Sequence, residues 1–337
     1  MKRFGLLIIV FALLIGGAAN AQEDPFRIVA TTTQAYDLLT ILTANVDGIE
    51  ITGLMGPGVD PHLYKPNEAD IAAMNNADLV VYSGLHLEGQ FDTVFQALGE
   101  RSIRVYALGK PVVDQGFALD PINAAMAQIA THDPHFWFDP RNWQLAAEGM
   151  TAVMAEVDPD NAEAYRANYE AYSAQLDLLF NWALESMMLV PETQRYLVTS
   201  HDAFQYFGLA FGWEMRGLQG ISTEDEAGVA DIQTLASFVV EHQIPVMFIE
   251  SSVPPDTIEA VQEAVRAQGF DVGIGIRPLF SDAMGERETF GGTYIGMIAQ
   301  NVYTILQSYQ ARGVELEIPA YPADLNPQPS EALLNGE

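Results

Sequence analysis

Between Asn161 and Met188 the chain contains neither glycine nor proline, and alanine, leucine, tyrosine and glutamate dominate the run. With both helix breakers absent, it reads as one helix of about 25 residues, roughly 40 Å at 1.5 Å per residue. Asp158-Pro159-Asp160 breaks the pattern before it and starts the new one. A helix of that length overshoots one small sheet, so its natural use is as a stiff connector between two domains. Unlike a Gly/Ser linker, it does not permit wide hinge motion.

On either side of this run, apolar strands alternate with helical stretches. Strands are expected over 27–31, 49–54, 78–83 and 104–107, with helices over 35–43, 67–74, 87–98 and 142–157. Beyond the long helix, strands over 195–199, 213–217, 246–249 and 271–275 alternate with helices over 203–207, 230–242, 255–268 and 293–312. Near-continuous apolar strands separated by helices indicate an α/β fold of two lobes, each a mostly parallel sheet flanked by helices. The expected division is a lobe over 22–158, a connecting helix over 159–190 and a second lobe over 191–312. A proline-rich tail over 313–337 is expected to wrap the surface or stay disordered. The segment 109–133 shows no regular pattern.

The first 21 residues have a basic start, a short apolar core from Phe4 to Ile15 and an Ala-Asn-Ala ending, the three parts of a secretory signal peptide. The apolar run is shorter than the roughly 20 residues of a membrane span. An exported, soluble, monomeric product is therefore expected. The absence of cysteine excludes disulfides, thiolate metal sites, cysteine nucleophiles and a cysteine-borne lipid anchor. A formal charge of −30 argues against nucleic acid or an anionic membrane as partner.

Chemistry concentrates in stiff loops after strands. Gly56-Pro57-Gly58-Val59-Asp60-Pro61-His62-Leu63-Tyr64-Lys65-Pro66 holds one histidine among residues that restrict the backbone. A second Asp-Pro-His brings His135 into the similarly stiffened 132–140. His201 follows the strand 195–199, and Asp282 lies in the loop after 271–275. Ligands in open parallel sheets bind outside the carboxyl ends of strands. Three imidazoles and a carboxylate are a good donor set for a divalent transition metal, zinc above all. The wide spacing is unlike a zinc finger, and spacing alone leaves open whether these residues form one site or sit idle on the surface.

The motifs Gly58-Val59-Asp60-Pro61-His62-Leu63-Tyr64, Ser83-Gly84-Leu85-His86-Leu87-Glu88, Asp133-Pro134-His135-Phe136-Trp137-Phe138-Asp139-Pro140, Ser200-His201-Asp202-Ala203-Phe204, Gly220-Ile221-Ser222-Thr223-Glu224, Phe248-Ile249-Glu250 and Phe280-Ser281-Asp282 occur in order along the chain. Together they resemble the metal-binding (cluster A-I) solute-binding proteins of ABC transporters for zinc and manganese, over nearly all of 26–312. The resemblance implies metal ligands at His62, His135, His201 and Asp282. It also implies delivery of Zn²⁺ or Mn²⁺ to a membrane permease driven by an ATPase, two lobes joined by a rigid helix, and no catalysis. The sequence departs from many zinc-dedicated members, because 109–131 holds no histidine-rich loop. Typical manganese members have glutamate where this chain has His201. Donor softness favours Zn²⁺. A secreted metallohydrolase with Asp282 as general base, and a metal-stabilised adhesion protein, are the competing readings.

The remaining histidines read as structural. His86 fits packing or capping, His132 an exposed or supporting position, and His242 the free carbonyls at a helix end. Ser222-Thr223 before Glu224-Asp225-Glu226 reads as a helix start. Glu250 is expected to support a ligand histidine from behind.

Overall fold

Phe26–Ala30 (β1), Ile49–Gly53 (β2), Leu79–Tyr82 (β3) and Arg104–Ala107 (β4) form a parallel sheet in the order β2-β1-β3-β4. The computed structural model describes residues 24–120 and 132–336, so the expected leader 1–21 lies outside the described residues. Helices Thr33–Leu42 (α1), Glu68–Asn75 (α2) and Asp92–Glu100 (α3) connect these strands, followed by Lys110–Asp114 (α4) and Pro140–Val157 (α5). Their starts follow from local chemistry. Thr32 caps α1, Asn67 and Asp70 form a capping box on α2, and Asp139 caps α5 with Pro140 in its first turn.

The glycine- and proline-free run forms α6, Ala162–Met187, of 26 residues. It packs along both lobes, against α1 and α5 on one side of the chain and against later helices on the other. Its own Tyr165, Tyr172, Leu176, Leu179, Trp182 and Met187 are buried. The connector is therefore part of a core that continues from Ile28 in the first sheet to Leu197 and Phe248 in the second.

After α6 come Tyr196–Thr199 (β5), Gln205–Phe211 (α7), Glu214–Gly217 (β6), Val229–Glu241 (α8), Val246–Met247 (β7), Asp256–Ala267 (α9), Gly273–Ile274 (β8) and Tyr294–Ala311 (α10). β5 pairs with β6 and β7 with β8, all parallel. The Phe248 N–H donates to the Val198 carbonyl at 2.8 Å, which sets β7 beside β5. The second lobe thus holds two two-stranded sheets in place of the expected single one, set side by side in the order β6-β5-β7-β8, the succession of the first sheet.

Several expectations need correction. The helix expected over 87–98 begins at Asp92, because Gly84, Leu85 and His86 all hold positive φ. Buried Glu88 pins that turn by accepting from the Ser83 and Gly84 N–H groups and from Thr31 Oγ1. Ser222-Thr223 starts no helix. α8 begins seven residues after Ser222, capped from the Gly228 N–H to Asp231. The His242 ring packs on Phe238 and Tyr196, with centroids 4.3 and 4.9 Å away. Part of 109–133 is regular after all, as α4; 121–131 lies outside the described residues. The tail wraps the surface, ending in Glu331–Leu334 (α11), and buries Leu325 and Leu333. No helix among the described residues is long and apolar enough to cross a membrane.

Asp37 of α1 accepts the Tyr294 N–H at the start of α10, 2.8 Å away, so it joins the two lobes. Burial pushes its carboxyl up to about 7. A carboxyl raised on folding stabilises the fold fully below its unfolded value of 3.8, and that contribution is lost as pH rises through about 7. Asp37→Asn keeps an acceptor for Tyr294 and removes the titration. Its thermal midpoint is predicted to gain on that of the unsubstituted protein between about pH 4 and about pH 7. Melting curves of chelator-treated protein check this, and a pH-independent difference contradicts it.

Candidate metal centre

His62, His201 and Asp282 leave the carboxyl ends of strands on loops that are tied down, while His135 heads the short helical turn 136–138 that leads into α5. Beyond β2, the Leu54 and Met55 N–H groups still bond to the Ala30 and Thr31 carbonyls, and Gly58 takes φ +70° in the turn that follows. The His62 N–H then donates to Asp60 Oδ1 at 2.9 Å. The same Asp-Pro-His spacing recurs at His135, whose N–H donates to Asp133 Oδ1 at 2.9 Å. An aspartate two residues ahead thus folds both loops the same way. His201 follows β5 directly, and its carbonyl accepts from Thr199 Oγ1. Asp282 follows β8 through a bridge between Leu279 and Glu250. Across the lobes its carbonyl accepts from Gln34 Nε2 of α1 at 3.0 Å.

The four side chains meet. One atom from each of His62, His135, His201 and Asp282 lies within 4.8 Å of the others, and all four residues are buried. His135 Nε2 stands 3.4 Å from His62 Nε2 and 3.3 Å from His201 Nε2. Asp282 Oδ1 is 3.3 Å from His135 Nε2, and Oδ2 is 3.3 Å from His201 Nε2. A tetrahedral zinc with bonds of 2.0–2.1 Å separates its ligand atoms by about 3.3–3.4 Å. Among the described residues, Asp282 Oδ1 is buried with no hydrogen-bond partner. A bound cation would supply what that oxygen lacks.

Two carboxylates set the ring orientations from behind. Asp133 Oδ1 lies 2.7 Å from His135 Nδ1. Glu250 Oε2 lies 2.6 Å from His201 Nδ1, off the line of a good hydrogen bond, while Oε1 accepts the His201 N–H at 2.8 Å. Holding the proton on Nδ1 leaves Nε2 as the lone-pair donor. β5 and β7 flank the switch point of the second sheet, so His201 and Glu250 leave adjacent strands. Glu250 matches its expected supporting role. The parallel role of Asp133 was missed, although the repeated Asp-Pro-His carries its signal.

The charges are strongly coupled. Burial lowers the His62 pKa to about 3, against the pull of Asp282. Burial also acts to lower His135, but Asp133 and Asp282 outweigh it and raise that ring to about 9. The same contest, with Glu250 and Asp282 on the winning side, holds His201 well above its ordinary value. Burial acts to raise Asp282, yet His201 and His135 hold it well below the usual carboxylate range. The other histidines stay apart from the cluster. His86 pairs with Asp92 at 3.2 Å, and His132 Nδ1 lies 3.6 Å from Asp120.

Residues 28–308 match the family described as zinc-uptake complex component A, periplasmic. The chain is 38% identical over 308 residues to the manganese-binding lipoprotein MntA of Bacillus subtilis, spanning 90% of this chain and 97% of that one. It is 37% identical over 312 residues to the zinc-binding protein TroA of Treponema pallidum, with the same coverage. The solved structure of periplasmic TroA from that organism superposes with a TM-score of 0.78 at 38% identity, covering 84% of this chain and 99% of the other.

Glu250 is buried against a histidine held charged when no metal is present. Removing one partner of such a pair costs about 3–5 kcal/mol. Urea unfolding of metal-stripped Glu250→Ala is predicted to show a loss of that order, with Glu250→Gln losing less because it keeps an acceptor for the His201 N–H. A loss below about 1 kcal/mol in the alanine variant contradicts the assigned role.

Proposed function

This chain belongs to the family of the periplasmic component A of zinc-uptake complexes, and from that premise we propose that it captures a divalent transition metal outside the cytoplasm and hands it to an ABC-transporter permease driven by an ATPase. The observation that carries the reading is the convergence of His62, His135, His201 and Asp282, one donor atom from each within 4.8 Å of the others and the His62–His135, His135–His201, His135–Asp282 and His201–Asp282 contacts at 3.3–3.4 Å, all buried. We assign all four as ligands of the cargo. Asp133 and Glu250 hold two of the rings in the tautomer that binds, so loading displaces protons from the site.

Zn²⁺ is the favoured cargo, because three imidazoles and one carboxylate suit it and it accepts four ligands. Mn²⁺ is the second reading, favoured by the likeness to the manganese-binding protein of B. subtilis. Both Asp282 oxygens face histidine donors, which leaves room for a fifth bond. Four protein ligands argue against a hydrolase, since a catalytic zinc keeps a position open for water. The family and the named relatives lend no support to an adhesion role. The B. subtilis relative is named a lipoprotein, whereas the 337 residues here include no cysteine.

Titration of chelator-stripped protein with Zn²⁺ and Mn²⁺ tests the proposal. Binding of at least one metal below micromolar is expected, weakened by about 100-fold or more in His201→Ala and in Asp282→Ala. No binding, or silence of both substitutions, overturns it. Because α6 is continuous and packed on both lobes, small-angle scattering is expected to give nearly the same radius of gyration with and without metal. A large contraction on loading rules out the rigid connector.

A further inference from the structure

The four donors are sealed from solvent, so some part of their cover has to open for any ion to pass. The cover is fastened unevenly. Where the Asp282 loop meets the first lobe, buried bonds staple it: Gln34 Nε2 to the Asp282 carbonyl, the Met284 N–H to Thr33 Oγ1, and Trp137 Nε1 to the Ser281 carbonyl. Tyr294 OH adds a bond to the Trp137 carbonyl. The segment 221–224 of the second lobe is held to the first lobe differently, by two side-chain bonds nearer the surface. Thr223 Oγ1 donates to Asp60 Oδ2 at 2.6 Å, and Gln90 Nε2 donates to Glu224 Oε1 at 2.7 Å.

The base and tip of this segment touch two ligand loops. At its base, the Gln219 N–H donates to the Ser200 carbonyl and the Gly220 carbonyl accepts the Asp202 N–H, so it is laced to the backbone on either side of His201. That approach requires glycine at 217, where a Cβ would lie 2.4 Å from the Asp202 nitrogen. At its tip, Thr223 grips one oxygen of Asp60 while the other oxygen accepts the His62 N–H. In the twin motif a single oxygen, Asp133 Oδ1, meets both the His135 N–H and its ring Nδ1, whereas Asp60 turns its second oxygen across the cleft to Thr223. Ile221, Ser222 and Thr223 are buried, whereas Glu224 and Asp225 are exposed.

We infer that 221–224 is a release strap, and that the Thr223–Asp60 bond governs how fast a metal ion enters and leaves by tying the His62 loop to the His201 loop. The inference rests on the metal-carrier reading for its purpose. A gate limits passage both ways, so loosening it speeds capture and release together and leaves the equilibrium nearly unchanged. A hydrogen bond onto a carboxylate is among the stronger ones in proteins, so its loss is expected to raise local opening about tenfold, equivalent to about 1.4 kcal/mol.

The test compares unsubstituted protein, Thr223→Val, Thr223→Ser and Gln90→Ala by two readouts. Hydrogen exchange on metal-stripped protein follows peptides covering 56–64 and 219–228. A chelator chase of Zn²⁺-loaded protein, with stopped-flow capture, gives the two rate constants. Thr223→Val is expected to exchange about tenfold faster in both peptides and to raise both rate constants about tenfold, with Kd moving less than about threefold. Thr223→Ser is expected to restore all of these, and Gln90→Ala to show a smaller change in the same direction. Unchanged exchange and rates in Thr223→Val, with Zn²⁺ still bound, overturn the strap alone. A weaker Kd at an unchanged capture rate also overturns it, making Thr223 a determinant of His62 geometry only. Faster exchange in a protein that binds no metal upholds the strap as a mechanical link and overturns the carrier reading.

Discussion

A carboxylate buried among three imidazoles is the constraint on which the rest of this structure depends. Asp282 is fully enclosed, and one of its oxygens has no hydrogen-bond partner among the described residues. Such a group is costly unless opposite charge is close at hand. The fold answers with rings turned toward it, two of them backed by the carboxylates of Asp133 and Glu250. Those carboxylates keep His135 and His201 charged when no metal is present, and the same contacts present Nε2 to an incoming cation. One arrangement therefore meets two needs: it makes the cluster tolerable when empty and aims it when a cation arrives.

Holding four such groups together takes a scaffold that does not flex at the wrong places. The four-stranded sheet of the first lobe and the β5-β6 and β7-β8 pairs of the second frame one point, and each donor comes from a separate loop. α6 packs on both lobes through one continuous core, and buried bonds join the Asp282 loop to α1. Against that rigidity, the segment 221–224 meets the first lobe through the side-chain bonds of Thr223 and Glu224, nearer the surface. Stiff ligand loops, a continuous connector and the strap inferred at 221–224 fit the proposed capture and delivery.

Much of this was legible because it rested on local chemistry. A run without glycine or proline favours a helix, and it forms Ala162–Met187, one residue inside each end of the run 161–188 and three inside the expected connector 159–190. Positions after strands singled out His62, His201 and Asp282, the repeated Asp-Pro-His singled out His135, and the ordered motifs tied the four together. What was not legible depends on long-range contacts. Thr223 looked like a helix cap because a hydroxyl ahead of acids serves equally well for that purpose, yet its partner is Asp60 in the other lobe. The true start of α8, at Gly228 with Asp231, carries a weaker signal because glycine has no capping side chain. β7 and β8, of two residues each, are shorter than the expected 246–249 and 271–275. His242 sits at a helix end as read, but two aromatic rings win its side chain from the carbonyls.

The central claim is that His62, His135, His201 and Asp282 jointly bind one ion, and anomalous diffraction from crystals of the Zn²⁺-loaded protein tests it most directly. The account predicts a single strong peak among these four residues, with three nitrogens at about 2.0–2.1 Å and at least one Asp282 oxygen at about 2.0–2.2 Å. A peak elsewhere, or an ion among them that is held by fewer than three of the four and completed by water, contradicts it.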